Sequence, residues 1–339
     1  MSPWLWTVAL VPPLLYGVSN LISKVVAHGD DEDNNSWAIL ALGAIFDLVI
    51  FVPIGLYCYL SLGYLWPSAD TFWPLFMNGA TFTLAGWLFL QSVKTEDTSN
   101  VSALFQTIPA FGIFFGLYGL DEVLSWSVIL GIIFLIIGGY CLSFIKGKLP
   151  KNVLVMMLLC CVLYAVNDFV IAKYGREVVV AGGGLASVKE ALPAIMSDLL
   201  GKMFFGLIPL VSYKSRTSFK LAIRSKFKLV AAESVTYTLG DVSFDVAKIL
   251  APLAVVQALC CAQPLFILAG VILFSVVIRR RLLNKKRQMK RLGKVNNWEY
   301  RMVKTFLNFC HKLREKFDNW FWKMFGIGLM VVGGILLSI

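Results

Sequence analysis

Charge is scarce in this chain, and histidine is scarcer. Of 339 residues 15% are charged and two are histidine, whereas 58% are hydrophobic. Soluble domains carry roughly 25% charged and 45–50% apolar residues, and a soluble core cannot grow fast enough with length to bury such an excess. A soluble enzyme is excluded. The 14% aromatic content argues against disorder. Seven cysteines are too few to staple a chain of this length. Six of them (Cys58, Cys141, Cys160, Cys161, Cys260 and Cys261) sit in apolar runs, where cysteine acts as a small hydrophobe. With only His28 and His311 beside them and no ligand-like spacing, no metal, haem or redox site is read. Gly182-Gly183-Gly184 lacks the Gly-Lys-Ser/Thr ending of a P-loop, so ATP is not the expected driver. No nucleophile or acid–base constellation marks an enzyme.

What is abundant is apolar sequence in helix-length blocks. Ten fall near 4–26, 37–60, 72–92, 100–118, 123–145, 152–174, 191–213, 228–247, 251–278 and 321–339, each close to the ~20 residues of a membrane helix. The short alternating segments of a barrel are missing. The N-terminus lacks the basic region of a cleavable signal, so the first block is expected to be retained as a span. The expectation is an all-α integral membrane protein with ten transmembrane helices. Ala181-Gly182-Gly183-Gly184 is read as a flexible connector after the sixth.

The blocks repeat. Leu15-Tyr16-Gly17-Val18-Ser19-Asn20 resembles Leu163-Tyr164-Ala165-Val166-Asn167-Asp168. Asp47, Gly55 and Leu56 match Asp198, Gly206 and Leu207, and Phe89, Val101 and Pro109 match Phe244, Val256 and Pro264. Gly131, Gly138 and Gly139 match Gly326, Gly333 and Gly334 after one jump of about forty residues in the spacing. The reading is a first five-helix repeat at 1–150, spans six to nine of the second at 151–278, an insert at 279–320, and span ten at 321–339. Five spans per copy force the second copy to enter from the opposite side. Inverted repeats of this kind are an architecture of alternating access, with substrate held near the midplane.

Thr98-Ser99-Asn100-Val101-Ser102-Ala103-Leu104 through Pro109, then Leu120-Asp121-Glu122-Val123-Leu124-Ser125, then Gly131 and Gly138-Gly139, resemble the EamA-type repeat of the drug/metabolite transporter superfamily. That pattern has a proline-bearing span, a Gly-Glu turn and a final span with spaced glycines. Here Asp121 stands for the glycine and Glu122 keeps the acid. The second copy keeps Pro264 and the glycines and has the insert in place of the turn. The resemblance implies a ten-span carrier for a small molecule with no bound cofactor, and a cavity built from spans three, four, eight and nine.

The net charge of +11 is local. Arg279 to Lys323 holds fifteen Lys/Arg against Glu299, Glu315 and Asp318, so the rest of the chain is close to neutral. Basic loop residues gather on the side of the first loop: Lys24, Lys94, Lys146, Lys148, Lys151, six from Lys214 to Lys228, and the insert. The other side holds Lys173, Arg176, Lys189 and Lys248. The positive-inside rule puts the first side in the cytoplasm and both termini outside. The resemblance implies the reverse, and the acidic Asp30–Asp33 loop does not decide between them, because acids count little in the rule.

Ionisable residues within spans are costly and mark functional candidates. Asp47 lies mid-span in the second block and Asp198 in the matching place of the seventh, with Lys202 one turn on. They are candidate coupling residues, or a packing ion pair (Asp198 with Lys202) and a helix-paired acid (Asp47). In span eight Glu233, Tyr237, Gly240, Asp241 and Phe244 share one face, and the repeat-related face of span three holds Asn78, Phe82, Ala85, Gly86 and Phe89. Such a stripe suits a cavity for an amphipathic metabolite, although interhelical hydrogen bonding uses the same residue types. Substrate contacts are expected from Asn78, Phe82, Gln106, Glu233, Tyr237, Asp241 and Gln263. Pro109 and Pro264 are expected to kink spans four and nine, either as plain bends or as gates. Gly138-Gly139 and Gly333-Gly334 are expected to let helices approach closely.

In the insert Trp298, Met302, Phe306, Phe309, Leu313, Phe317 and Trp320 step at helical spacing, with Arg301, Lys304, Lys312 and Lys316 opposite. A basic amphipathic helix against anionic lipid headgroups is the reading, a protein partner the second, and nucleic acid is not expected. The function expected is a secondary carrier of a small organic metabolite in the plasma membrane. The alternative is a non-transporting scaffold or lipid-handling protein docked through the insert.

Overall fold

The computed structural model describes residues 3–27, 36–95, 101, 104–143, 150–179, 185–266 and 320–338. Among them the chain forms ten α-helices and no strand: α1 Pro3–Ala27, α2 Ser36–Leu62, α3 Ala69–Thr95, α4 Ile108–Gly119, α5 Trp126–Ser143, α6 Lys151–Val178, α7 Leu185–Leu207, α8 Tyr213–Leu250, α9 Leu253–Cys260 and α10 Trp320–Ser338. Each falls on one of the apolar blocks. The amphipathic insert helix, the Ala181–Gly184 connector and the Asp30–Asp33 loop lie outside the described residues.

Two boundaries differ from expectation. The basic stretch from Lys214 to Lys228, taken above as a loop, is the first part of the 38-residue α8. No glycine or proline interrupts Tyr213–Leu239, and its Lys, Arg, Leu and Ala residues favour helix. α7 starts at Leu185 rather than near 191 and stops at Leu207, where Pro209 imposes a 3₁₀ turn over Ile208–Val211.

α2, α6 and the stretch Ser187–Val211 are long and apolar enough to cross a membrane. Their outward faces carry bare hydrophobes such as Leu56, Leu60 and Val155. Contiguous exposure of this kind needs an apolar medium around it. Lys248, counted above among loop charges, is fully buried within α8.

Helix packing follows a regular scheme. α1 lies on α8 and α6 on α3; α2 lies on α8 and α7 on α3; α2 meets α7, α4 meets α9, and α5 meets α10. The last contact is backbone against backbone. A Cβ on Gly131 would sit 2.9 Å from the Gly333 carbonyl oxygen, and one on Gly138 would sit 2.7 Å from that of Gly326. Gly139 gives room to the Gln106 amide instead, whereas Gly334 faces open space, so its expected packing role is not seen.

Candidate functional site

Six charged side chains from three helices meet in the interior. Lys202 of α7 places its Nζ 2.5 Å from Asp198, 2.5 Å from Asp241 and 3.7 Å from Asp245. Lys248 of α8 reaches Asp245 at 2.5 Å and Asp168 of α6 at 2.7 Å. All six are buried. Amides finish the network: Asn78 donates to Asp198 at 3.1 Å and to the Asn167 carbonyl at 3.1 Å, and Gln257 donates to Asp168 at 2.8 Å. Burying ions is expensive unless pairing and hydrogen bonding are nearly complete, and here each lysine is shared by at least two carboxylates. The carboxylates of Asp198, Asp241 and Asp245 converge as metal ligands do. The Lys202 ammonium already occupies the place among them that a cation would take.

Two cavities flank this network. The first, about 120 Å³, is bounded by Tyr16, Gln106, Asn167, Asp168, Asp241, Gln257 and Gln263 among others. The second, about 130 Å³, is bounded by Asp47, Lys202, Glu233, Ser234 and Thr238. Phe82, Phe89, Tyr164 and Tyr237 line both, so these rings are the wall between the chambers. Phe82 sits 5.6 Å from Tyr164 and 6.0 Å from Tyr237, and Tyr16 sits 5.1 Å from Tyr237, centroid to centroid. The Lys202 ammonium lies 4.3 Å over Phe82 and that of Lys248 lies 4.4 Å over Phe244. Both are cation–π distances.

The helices that reach the first cavity are interrupted there. A 3₁₀ turn, Phe105–Thr107, precedes α4, and Pro109 stands in the first turn of that helix. α9 ends at Cys260, and after a turn at Cys261–Ala262 the residues from Gln263 to Phe266 are helical again, with Pro264 second. A proline at the start of a helix gives up a donor that has no partner anyway. Pro109 and Pro264 therefore mark helix restarts rather than bends within continuous helices. Irregular backbone at membrane depth is tolerated where it lines a cavity.

One end of the helices is tied by Glu122. Its Oε1 accepts from Arg176 at 2.7 Å and from the Leu253 N–H at 2.8 Å, the first backbone donor of α9. Arg176 also donates to the Ala251 carbonyl at 2.7 Å and the Lys248 carbonyl at 3.1 Å at the end of α8. An anion at a helix N-terminus and a cation at a C-terminus both complement the helix dipoles. The residue before Glu122, Asp121, has φ of 51°. That is the left-handed region where glycine is favoured, which accounts for the glycine of the resembled turn.

The candidate residues divide between these features. Phe82 and Tyr237 line both cavities; Gln106, Asp241, Gln263 and Pro109 line the first; Asp47, Lys202 and Glu233 line the second. Asn78 and Asp198 border neither and belong to the ion network. Pro264 is half-buried beside Gln263. Asp47 accepts a hydrogen bond from Thr238 of α8, and Glu233 accepts one from Ser19 at 3.1 Å. Asp168, Asp245, Lys248, Asn167 and Gln257 escaped the sequence reading. A signal existed for three charges: Asp241, Asp245 and Lys248 are spaced to share one helix face.

Fold and site together define a multi-helical membrane protein with a chambered, aromatic and ionic interior. Residues 4–144 match the EamA-like transporter family, which shows the resemblance read from the sequence over that stretch. A solved structure described only as "Crystal structure of protein" is similar over 99% of this chain and 99% of its own, at 12% identity and a TM-score of 0.60. That likeness is one of fold. No curated protein matches the chain.

Proposed function

We propose that the chain is a secondary transporter of a small organic metabolite, built as two inverted five-helix repeats that rock about the ring wall between the two chambers. The single observation that carries this reading is the pair of cavities sharing Phe82, Phe89, Tyr164 and Tyr237. A thin wall between two solvent-sized chambers is what alternating access requires, since moving it opens one while closing the other. The packing scheme lends support. Exchanging each helix for the one five places on turns α1 on α8 into α6 on α3, turns α2 on α8 into α7 on α3, and leaves α4–α9 and α5–α10 as they are. The match of residues 4–144 to a transporter family agrees. Asp47, Asp198 and Lys202 are the proposed coupling residues, with Pro109 and Pro264 at the moving breaks. The 279–320 insert is proposed to lie on anionic headgroups of the plasma membrane.

The test is purified protein in liposomes, offered pooled labelled metabolites with and without a pH gradient. Saturable counterflow that falls by about tenfold or more in Tyr237→Ala supports the reading, since a lost binding partner costs roughly 1–3 kcal/mol. Leu239→Ala, on the exposed side of α8, keeps wild-type counterflow. Wild-type rates in well-expressed Glu233→Gln and Tyr237→Ala would place the substrate elsewhere.

A further inference from the structure

The first cavity is framed by aromatic rings and by two carboxylates, Asp168 and Asp241, and among the described residues no Lys, Arg or His lines it. The lysines that serve those carboxylates stand behind the wall and are shared. Among the described residues Asp168, Asp198, Asp241 and Asp245 pair with two cations, Lys202 and Lys248, so the described network has fewer ammonium groups than carboxylates. Among the described residues each oxygen of the two wall carboxylates takes one donor: Tyr16 and Lys202 on Asp241, Lys248 and Gln257 on Asp168. A carboxylate oxygen offers about two acceptor positions, so both residues keep capacity toward a ligand. The rings already stack under ammonium groups at Phe82 and Phe244. On the same wall Asn167, 1% exposed, has an amide nitrogen with no partner among the described residues. That donor asks for an oxygen on whatever fills the space.

We propose that the first cavity binds a small monocation, a protonated amine on a flat ring bearing a hydrogen-bond-accepting oxygen. This deepens the transporter reading above and rests on it for what the binding serves. The ammonium lies against Asp168 and Asp241, the ring lies among Tyr16, Tyr164 and Tyr237, and the oxygen meets Asn167. A cation supplies the charge that the wall lacks, whereas an anion meets two carboxylates in a low-dielectric space. The ring gains from aromatic faces whatever its substituents.

A matched series separates charge from shape: tyramine, 4-ethylphenol and 4-hydroxyphenylacetate carry the same phenol ring as cation, neutral and anion. Binding is read as ligand-induced thermal stabilisation of the purified full chain in detergent, which rises with occupancy. Tyramine is expected to bind at least about tenfold more tightly than either of the others, a difference of about 1.4 kcal/mol. Gln263→Lys, which sets an ammonium on the same wall, is expected to abolish that preference. Asp168→Asn is expected to weaken tyramine and leave 4-ethylphenol unchanged. The inference fails if 4-hydroxyphenylacetate binds wild type as well as tyramine does, or if tyramine does not bind. Because the assay involves no flux, tyramine that binds while neither it nor any pooled metabolite shows counterflow sinks the transporter reading alone. Counterflow of other compounds with no preference for cations sinks this inference alone.

Discussion

Lys202 holds one positive charge within reach of three carboxylates on two helices. Its replacement by methionine keeps length and apolar packing but leaves Asp198 and Asp241 without a cation, since Lys248 serves Asp168 and Asp245. Breaking a buried pair from one side costs about 3–5 kcal/mol. Lys202→Met is therefore expected to lower the thermal unfolding midpoint strongly, and an unchanged midpoint would mean that the charges are not buried together. Asp47 poses a different question, because it has a neutral partner in Thr238. Asp47→Asn keeps the shape of that contact. In liposomes it is expected to lose gradient-driven accumulation and keep counterflow, and undiminished accumulation would assign Asp47 to packing. At this scale the sequence was partly legible. Asp198 and Lys202 could be paired because their spacing is local. Asp168 could not be joined to Lys248, because the contact spans eighty positions and depends on how α6 meets α8. Lys248 was also hidden by a span boundary set three residues before the helix ends at Leu250.

The elbow between α8 and α9 shows how helix ends are secured. Glu122 and Arg176 satisfy backbone groups at both sides of the Ala251–Pro252 break, and Asp121 turns the chain so that Glu122 can reach. Asp121→Ala places a Cβ-bearing residue without a local hydrogen-bonding side chain at positive φ, which costs about 1 kcal/mol. Asp121→Gly is expected to cost nothing. Thermal melts of the two variants side by side check this, and equal midpoints would show that the turn is not strained. The helices themselves were readable from block length and apolar content. The interruptions at Pro109 and Pro264 were located but not described, because a proline inside an apolar run fits a bend as well as a restart. The basic start of α8 was missed for the opposite reason. Charge marks solvent exposure, and an exposed helix looks like a loop when only hydrophobicity is followed.

Across the whole molecule, the exposed aromatics Tyr64, Trp66 and Trp73 flank the α2–α3 connection, and Tyr118 and Trp126 flank the α4–α5 turn. Up-and-down threading puts these two connections on one side, where tyrosine and tryptophan suit a lipid–water interface. By the positive-inside rule the Lys/Arg distribution is expected to make the opposite side cytoplasmic. Cysteines introduced at Thr95, exposed at the end of α3, and at Asn284 are then expected to be shielded from an impermeant thiol reagent in intact cells, and external labelling of both would reverse the orientation. The proposed repeat rests on an ordered series of matches in the sequence and on the packing scheme. The chambers were not legible in the sequence, because they arise from side chains of helices that only packing brings together.

The central claim is that the ring wall moves so that its residues face each side in turn. It is tested most directly by a single cysteine at Tyr237, in a chain freed of its native cysteines and reconstituted with known sidedness. The account predicts labelling by an impermeant thiol reagent applied from either side, slowed from both when a transported substrate is present. Labelling from one side only, whatever substrate or gradient is supplied, would contradict it.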